Sequence, residues 1–267
     1  ASHLGIESCL RRARECVYWP GMSAEVKELI AACETCRKFE VSHAKETLMS
    51  HKIPTRPWQR VGVDLFDFQN KDYMITVDYY SNFWEVDRLP STSASSVILK
   101  LKGHFARYGC PEQVITDNGP QFTSKEFALF SKSWDFEHQT SSPGNSKANG
   151  KAESAVKTAK RIIQKALDAG NEPYMAILDY RNTPTQAMDS SPAQRLLCRR
   201  TRTLLPTTNS LLQPEVTTPE KVTTKLRQKQ AKQAKQYNAH AKDLPPLQEG
   251  DNVRMKPFKM GQKSWQK

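Results

Sequence analysis

Three acidic residues are the first candidates for chemistry, because of their order and spacing along the chain. Asp64 lies inside the apolar stretch "VGVDLF", and Asp117 ends the apolar stretch "VITD". Glu153 follows Asp117 with 35 residues between them. A carboxylate in a buried strand is costly unless it is paired or bound to a cation. Each acid alone is most simply a surface residue, but the three together favour one cation site.

Three carboxylates that converge without Cys or His suit Mg²⁺ or Mn²⁺, which prefer oxygen ligands. Two such ions about 3.5–4 Å apart can activate an attacking oxygen and stabilise a leaving oxygen at one phosphorus. The polar "NGP" break after Asp117 would leave space for metal and phosphate. The trio therefore predicts metal-dependent chemistry at a phosphate ester.

The surrounding sequence predicts elements that would bring these acids together. Apolar, β-branched and aromatic patterns predict strands in residues 59–68, 72–89 (two strands), 112–117 and 135–141. Helical patterns follow in residues 91–109, 123–134, 151–170 and 172–182. Three consecutive strands indicate an antiparallel meander, and the later alternation indicates parallel strands covered by helices. We therefore expect an α/β fold in which the first and fourth strands are neighbours and the helix of Glu153 crosses them.

A cysteine pair near the N-terminus indicates a second metal site. Cys33 and Cys36 form a C-x-x-C motif, and His3 precedes Cys33 with 29 residues between them. Cys and His at such long spacing indicate a tetrahedral structural Zn²⁺ site. Two helices are expected around it, in residues 6–19 and 23–36, the second with Ser23 as its N-cap. His43 and His51 lie in a polar linker, where we expect solvated side chains rather than ligands.

The charge balance favours a polyanionic partner. Lys and Arg number 40 against 28 Asp and Glu, which gives a formal net charge of +12. Such a balance is typical of nucleic-acid binding, although it also serves solubility alone. The most basic segment, residues 224–242, is either a solvated helical linker or a surface that contacts phosphates. No apolar run is long enough to span a membrane, so we expect no membrane partner.

The remaining cysteines suggest a reducing compartment. Cys9, Cys16, Cys110 and Cys198 belong to no recognisable motif and are expected to be reduced. This favours a cytosolic or nuclear protein. The chain lacks an initial Met and a signal-peptide pattern, so we expect it to be a piece of a longer protein.

Three ordered motifs resemble the catalytic core of retroviral and gypsy-type LTR-retrotransposon integrases: "PWQRVGVDLF", "VITDNGPQF" and "NGKAESAV". The resemblance extends to "HLGIESCLRRARECVYWPGM", the cysteine pair and the basic tail. It implies an RNase H-like core, a mixed five-stranded sheet flanked by helices, and a small helical zinc-binding module. It also implies two-metal polynucleotidyl transfer, in which Asp64, Asp117 and Glu153 are the metal-binding catalytic acids.

The same resemblance implies further ligands and partners. The family's zinc module uses two His residues, of which His3 would be the second and the first would fall at or before residue 1. Three ligands bind Zn²⁺ more weakly than four. Contacts to the end of the element's DNA are implied for Asn149, Lys157, Lys160 and Arg161. The partners implied are element-end DNA, target DNA and further copies of the chain, assembled in the cytoplasm and acting in the nucleus.

These observations predict a domain order and an activity. The expected order is a zinc-binding-type module in residues 1–40, a linker in 41–57, the catalytic core in 58–205, a basic linker or helix in 206–242, and the start of a C-terminal β domain in 243–267. The expected activity is 3′-end processing and strand transfer of element DNA. The alternatives are a host-adopted DNA-binding protein without strand transfer, and a nuclease that cuts RNA–DNA hybrids on the same fold.

Overall fold

The computed structural model describes most of the chain. The described residues are 3, 5–38, 47–48, 52–141, 150–239, 241 and 248. The chain divides into two compact units, Ala1–Leu48 with Tyr237–Lys267, and Met49–Gln236. Several sequence predictions fall outside the described residues: Asn149, His43, His51 and nearly all of the expected β domain in 243–267.

The larger unit is built on a mixed five-stranded sheet. Its strands are β1 Arg60–Phe68, β2 Lys71–Asp78, β3 Trp84–Arg88, β4 Gln113–Thr116 and β5 Glu137–Thr140. Their order is β3-β2-β1-β4-β5. The pairs β1–β2 and β2–β3 are antiparallel, whereas β1–β4 and β4–β5 are parallel. The predicted meander and the predicted contact between the first and fourth strands are both confirmed.

Ten helices lie in the described part of the chain. In chain order they are α1 Ile6–Cys16, α2 Met22–Ala32, α3 Glu34–Lys38, α4 Ala94–Tyr108, α5 Lys125–Ser133, α6 Gly150–Asp168, α7 Pro173–Asn182, α8 Pro192–Leu197, α9 Asn209–Leu212 and α10 Pro219–Asn238. None of the helices within these ranges is long and apolar enough to cross a membrane.

Helices α4 to α7 cover both faces of the sheet. Helices α4 and α5 pack on one face with the buried side chains of Val61 and Val63. Helices α6 and α7 pack on the other face, with Phe66, Ile75 and Val77. This division follows from the alternation of side chains along β1, in which successive residues point to opposite faces. Asp64 therefore belongs to the face covered by α6.

Local sequence explains where α4 and α5 begin. Ser93 and Ser124 occupy the N-cap positions, and their hydroxyl oxygens accept hydrogen bonds from the backbone N–H groups of Ser96 and Phe127. Helix α4 ends at Gly109, whose φ of +90° is a conformation that favours glycine. Both helices lie within the ranges predicted from the sequence, 91–109 and 123–134.

The smaller unit corrects the expected start of its second helix. The prediction of Ser23 as an N-cap is wrong, because α2 begins at Met22 and Gly21 occupies the N-cap position with φ +87°. A left-handed residue there is cheap only for glycine, so the chain enters the helix two residues earlier. The helix expected up to Cys36 is also interrupted, since Cys33 is extended between α2 and α3.

Helix α10 lies partly on the larger unit. Its buried side chains, Val222 and Leu226, pack with Tyr80 and Met188. Lys225 of the same helix forms an ion pair with Asp189. The first half of α10 is therefore held by apolar contacts, while most of its lysines remain at the surface.

Candidate active site

Strands β1 and β4 place Asp64 and Asp117 side by side. The parallel register pairs Gly62 with Ile115. Counting two residues further along both chains sets Asp64 opposite Asp117, which directly follows β4. Neighbouring strands lie about 4.8 Å apart, so two side chains at one level on one face are adjacent. Asp64 is half-buried, whereas Asp117 is exposed and accepts a hydrogen bond from the Gly119 N–H at 3.1 Å.

Helix α6 brings Glu153 and Lys160 over the same face. The helix buries a stripe of small and apolar side chains: Ala152, Ala155, Val156, Ala159, Ile163 and Ala166. This stripe packs with Phe66 and Ile75 of the sheet. The Lys160 Nζ atom lies 5.4 Å from the centroid of the Phe66 ring. Lys160 therefore reaches over β1, close to Asp64.

The pKa of Asp64 shows that these groups share one electrostatic environment. Burial, followed by the negative charges of Asp117 and Glu153, raises the pKa of Asp64 from 3.8 to about 6. A hydrogen bond from the backbone of Leu65 and the positive charge of Lys160 act in the opposite direction. Poor solvation and nearby negative charges both raise the pKa of a carboxyl group, and carboxylates grouped to bind a cation have both.

The three carboxylates do not form a tight cluster. Among the residues that the structure describes, the only group of three or more Asp, Glu, His or Cys ligand atoms within 4.8 Å of one another is His3, Cys33 and Cys36. At least two of the three acids therefore stand further apart than this, in agreement with the mutual repulsion of like charges. Their oxygen-only donor set fits Mg²⁺ or Mn²⁺. Such ions would be held by Asp64, Asp117 and Glu153.

Among the predicted DNA contacts that the structure describes, Lys160 is the one whose charge acts on Asp64. The side chains of Lys157 and Arg161 are exposed on α6. Glu153 and Lys160 lie two helical turns apart on one side of α6, at about 20° from exact alignment. The surface around the acids is thus flanked by cations of the same helix.

The cluster of His3, Cys33 and Cys36 has the geometry of a zinc site. The His3 Nδ1 atom lies 3.4 Å from the Cys33 Sγ atom and 3.5 Å from the Cys36 Sγ atom. Tetrahedral ligands with ordinary Zn–S and Zn–N bonds would stand about 3.6 Å apart, so the three atoms fit one Zn²⁺ ion. The break at Cys33 explains how both thiols face the same point, one before α3 and one within it.

Two models of known protein families match the chain. Residues 1–42 match the integrase zinc binding domain, and residues 54–146 match the integrase core domain. The chain contains the zinc-binding and core domains of an integrase.

Two proteins of similar sequence match more than half of this chain. An uncharacterized protein of Caenorhabditis elegans is 33% identical over 225 residues, which are 80% of this chain and 18% of that protein. The Pro-Pol polyprotein of feline foamy virus is 25% identical over 173 residues, 62% of this chain and 15% of the polyprotein. The chain thus spans less than a fifth of either relative.

The fold is also found in a solved integrase assembly. All of this chain aligns with 84% of a chain in the simian T-cell lymphotropic virus intasome, solved by cryo-electron microscopy in complex with the PP2A regulatory subunit B56 gamma. The TM-score is 0.61 at 17% sequence identity, which establishes similarity of fold. With the strand order above, it confirms the RNase H-like integrase core.

Cys9 lies nearer the zinc-type cluster than the sequence indicated. Its charge is the smallest of the influences that raise the pKa of Cys36, after burial, the hydrogen bond that the Cys36 thiol donates to Cys33 and the charge of Cys33. The pKa of Cys33 is lowered, chiefly by a hydrogen bond from the backbone N–H of Cys36. The helical pattern of α1 predicted only that Cys9 packs, because its distance from Cys36 depends on how α1 folds back on α2.

A polar network close to the three acids was not predicted from the sequence. Asp78, at the end of β2, is fully buried, and Arg195 of α8 is almost so. Burial raises the pKa of Asp78 and lowers the pKa of Arg195 to about 10. Lys151, two residues before Glu153, joins them, and burial lowers its pKa to about 7 against the opposing attraction of Asp78. A buried Asp within "TVDYYSN" was the available signal.

Proposed function

We propose that this chain is the integrase segment of an LTR retroelement that performs 3′-end processing and strand transfer. The observation that supports the proposal is that Asp64 and Asp117 stand opposite each other on neighbouring strands, and that the charges of Asp117 and Glu153 raise the pKa of Asp64. Three acids from β1, the end of β4 and α6 form the minimal holder for cations at a phosphodiester. The positive charge of Lys160 beside them supports the phosphate as the reacting group.

In the proposed reaction, each residue has a limited role. In end processing, the oxygen of water attacks a phosphorus near the element's end, and the bond from that phosphorus to the 3′ oxygen breaks. In joining, the freed 3′-hydroxyl attacks a phosphorus of the target strand, whose own 3′ oxygen leaves. Two divalent cations, when bound, would activate the attacking oxygen and stabilise the leaving one. These cations would be held by Asp64, Asp117 and Glu153, and Lys160 would attract the phosphate.

The proposed partners are element-end DNA, target DNA and further copies of this chain. The net charge of +12 supports binding of polyanions. The intasome to which the fold is similar supports assembly as a multimer on DNA. We propose assembly in the cytoplasm and action on chromosomal DNA in the nucleus.

A joining assay that does not require the element's sequence tests the proposal. The full chain is incubated with Mn²⁺, a supercoiled plasmid and a pool of short duplexes whose terminal base pairs are randomised. Joined products are amplified and sequenced. We expect one family of terminal sequences to be enriched, because an integrase selects its own ends. Joining with no enrichment, or none at all, contradicts the proposal.

Amide variants test the three acids. We expect Asp64→Asn, Asp117→Asn and Glu153→Gln each to abolish processing and joining while the chain stays folded. Asp67→Asn is the matched control, since Asp67 is an exposed acid of β1 in a position that points to the opposite face from Asp64. Near-parental joining by any of the three variants contradicts the assignment.

The assay also separates the alternatives. A host-adopted DNA-binding protein would retain duplexes without joining them under all metal conditions. A nuclease of the same fold would cut RNA–DNA hybrids, which are included as a separate substrate, and would yield no joined plasmid.

A further inference from the structure

We propose that Lys151 is a positioning residue for Glu153, because it ties the first turn of α6 to the turn between β2 and β3. This inference deepens the proposed function and rests on it. Lys151 belongs to neither the acids nor the cations that flank them, and its role follows from contacts made on the other side of the helix.

The contacts of Lys151 are specific and reach far along the chain. Its Nζ atom donates a hydrogen bond to the backbone carbonyl oxygen of Tyr79 at 2.6 Å. The same atom lies 5.2 Å from the centroid of the Tyr79 ring. It is also attracted by the carboxylate of Asp78. These contacts join the start of α6 to a turn 72 residues earlier.

The turn that receives Lys151 is itself well fixed. One Asp78 oxygen accepts hydrogen bonds from the N–H groups of Trp58 and Tyr80, both at 3.1 Å. The other accepts from the N–H of Ser81 at 2.9 Å and from its hydroxyl at 2.5 Å. The guanidinium group of Arg195 donates a hydrogen bond to the backbone carbonyl oxygen of Ser81 at 2.8 Å. The turn to which Lys151 bonds is therefore itself held in place by several hydrogen bonds.

The geometry of the α-helix links the contacts of Lys151 to the position of the Glu153 carboxylate. Two residues along an α-helix are rotated by about 200° and separated by about 3 Å along the axis. Lys151 can therefore bind the turn while Glu153 faces the other acids. The first helical turn lacks intrahelical partners for its N–H groups, so it is the part most easily displaced. Fixing Lys151 sets both the rotation and the height of the Glu153 carboxylate.

Precise placement matters because of the cations expected there. Mg²⁺ requires near-octahedral geometry at about 2.0–2.1 Å, so a displaced carboxylate binds it poorly. A merely structural role is the competing account, in which Lys151 balances the buried charge of Asp78. That account predicts lost stability with unchanged metal affinity and turnover.

The test uses the full chain with three changes at position 151. Lys151→Met removes the ammonium group and keeps most of the side-chain length, Lys151→Gln keeps a shorter neutral donor, and Lys151→Arg keeps a cation. Lys165→Met is the control, since Lys165 is an exposed lysine of the same helix. Binding of Mn²⁺ is followed by the loss of the free-ion electron paramagnetic resonance signal, and kcat and KM are measured in the joining assay.

We expect Lys151→Met to weaken Mn²⁺ binding about 10-fold or more, as loss of a ligand-orienting partner commonly does. We expect kcat to fall by a similar factor of about 10, with KM for duplex DNA nearly unchanged. Lys151→Arg should recover a large part of both, Lys151→Gln should fall between, and Lys165→Met should behave like the parent.

Parental Mn²⁺ binding and kcat in a folded Lys151→Met chain would overturn the proposal, whatever its thermal stability. If that chain does not fold, Lys151→Gln decides in the same way. Failure of the proposed function has a different signature. The parental chain would then join no DNA, while weaker Mn²⁺ binding by Lys151→Met would still support the positioning role.

Discussion

The ionised side chain of Asp64 destabilises the folded chain at neutral pH. Its pKa is raised from 3.8 to about 6, so the folded state favours the protonated form. The resulting stabilisation is complete below the unfolded pKa and is lost as the pH rises through about 6. After allowance for partial exposure, we place the cost near neutral pH at about 1–2 kcal/mol.

Asp64→Asn should therefore stabilise the chain when metal is absent. At pH 7.5 with EDTA we expect Tm to rise by about 2–6 °C, and at pH 4 we expect little change. Differential scanning calorimetry at both pH values measures this. Asp67→Asn controls for the loss of any surface charge. An equal rise in both variants would mean that net charge, not the convergence of the acids, is responsible.

Binding of divalent cations should depend on pH through the same carboxyl. A proton on Asp64 competes with the cation, and half of the carboxyls are protonated near pH 6. The rise in Tm caused by millimolar Mn²⁺ should be small at pH 5, grow through pH 6 and level off above pH 7. A rise that is the same at pH 5 and pH 7.5 would show that Asp64 is not a ligand.

At the scale of elements, α6 presents two lysines with different surroundings. Lys160 contacts the Phe66 ring and lowers the pKa of Asp64, whereas Lys157 is exposed. Changing both to Glu should weaken binding to element-end DNA far more than binding to random duplex. Fluorescence anisotropy with the two duplexes measures the difference. Normal end processing by the double variant would show that these lysines are only surface charge.

Lys160 should also act on the metal site, which Lys157 should not. Removing the positive charge of Lys160 raises the pKa of Asp64 further, so the Mn²⁺-induced rise in Tm should move to higher pH in Lys160→Gln. Lys157→Gln is the matched control, one turn away on the same helix. A shift of equal size in both variants would place the effect in the general field of α6.

The helices of the smaller unit should depend on Zn²⁺. Structural zinc contributes its binding free energy to folding, and the spacing of His3, Cys33 and Cys36 suits one ion. We expect added Zn²⁺ to increase the helical circular dichroism of the chain, and Cys33→Ser or Cys36→Ser to remove the increase. Cys16→Ser is the control, since Cys16 is exposed in α1. An unchanged response in Cys33→Ser would contradict the assignment.

Sequence patterns predicted the elements well where the signal is local. The strand pattern of β1 and the helical patterns of α4, α5 and α6 can each be recognised from neighbouring residues alone. The Ser23 cap failed because Gly21 competes for the same role. The tether from Lys151 to Tyr79 joins residues 72 apart, and that from Arg195 to Ser81 joins residues 114 apart. No local pattern encodes such pairs, because only the tertiary fold brings them together.

At the scale of the whole molecule, the excess of positive charge is distributed unevenly. Helix α10 carries one acid, Glu220, against six basic residues: Lys221, Lys225, Arg227, Lys229, Lys232 and Lys235. Val222 and Leu226 hold the first half of the helix on the core, so the cations beyond them face solvent.

This arrangement separates the two accounts of the basic segment. If α10 is a solvated linker, its cations contribute only to net charge. If it contacts DNA, they neutralise phosphates and release counterions, so affinity should fall steeply with salt. Deleting the segment would also remove the packing of Leu226, so substitutions that keep the helix are the better test.

We expect the change of Arg227, Lys232 and Lys235 together to Gln to flatten the dependence of duplex affinity on salt. All three side chains are exposed, so the fold should be retained. If each contacts one phosphate, the slope of log affinity against log salt should become shallower by about 2–3. Changing Lys71, Lys125 and Lys132 to Gln, three exposed lysines elsewhere on the same unit, removes the same charge and should leave the slope nearly unchanged. Equal flattening by both sets would mean that net charge alone attracts DNA, and that α10 is a solvated helix.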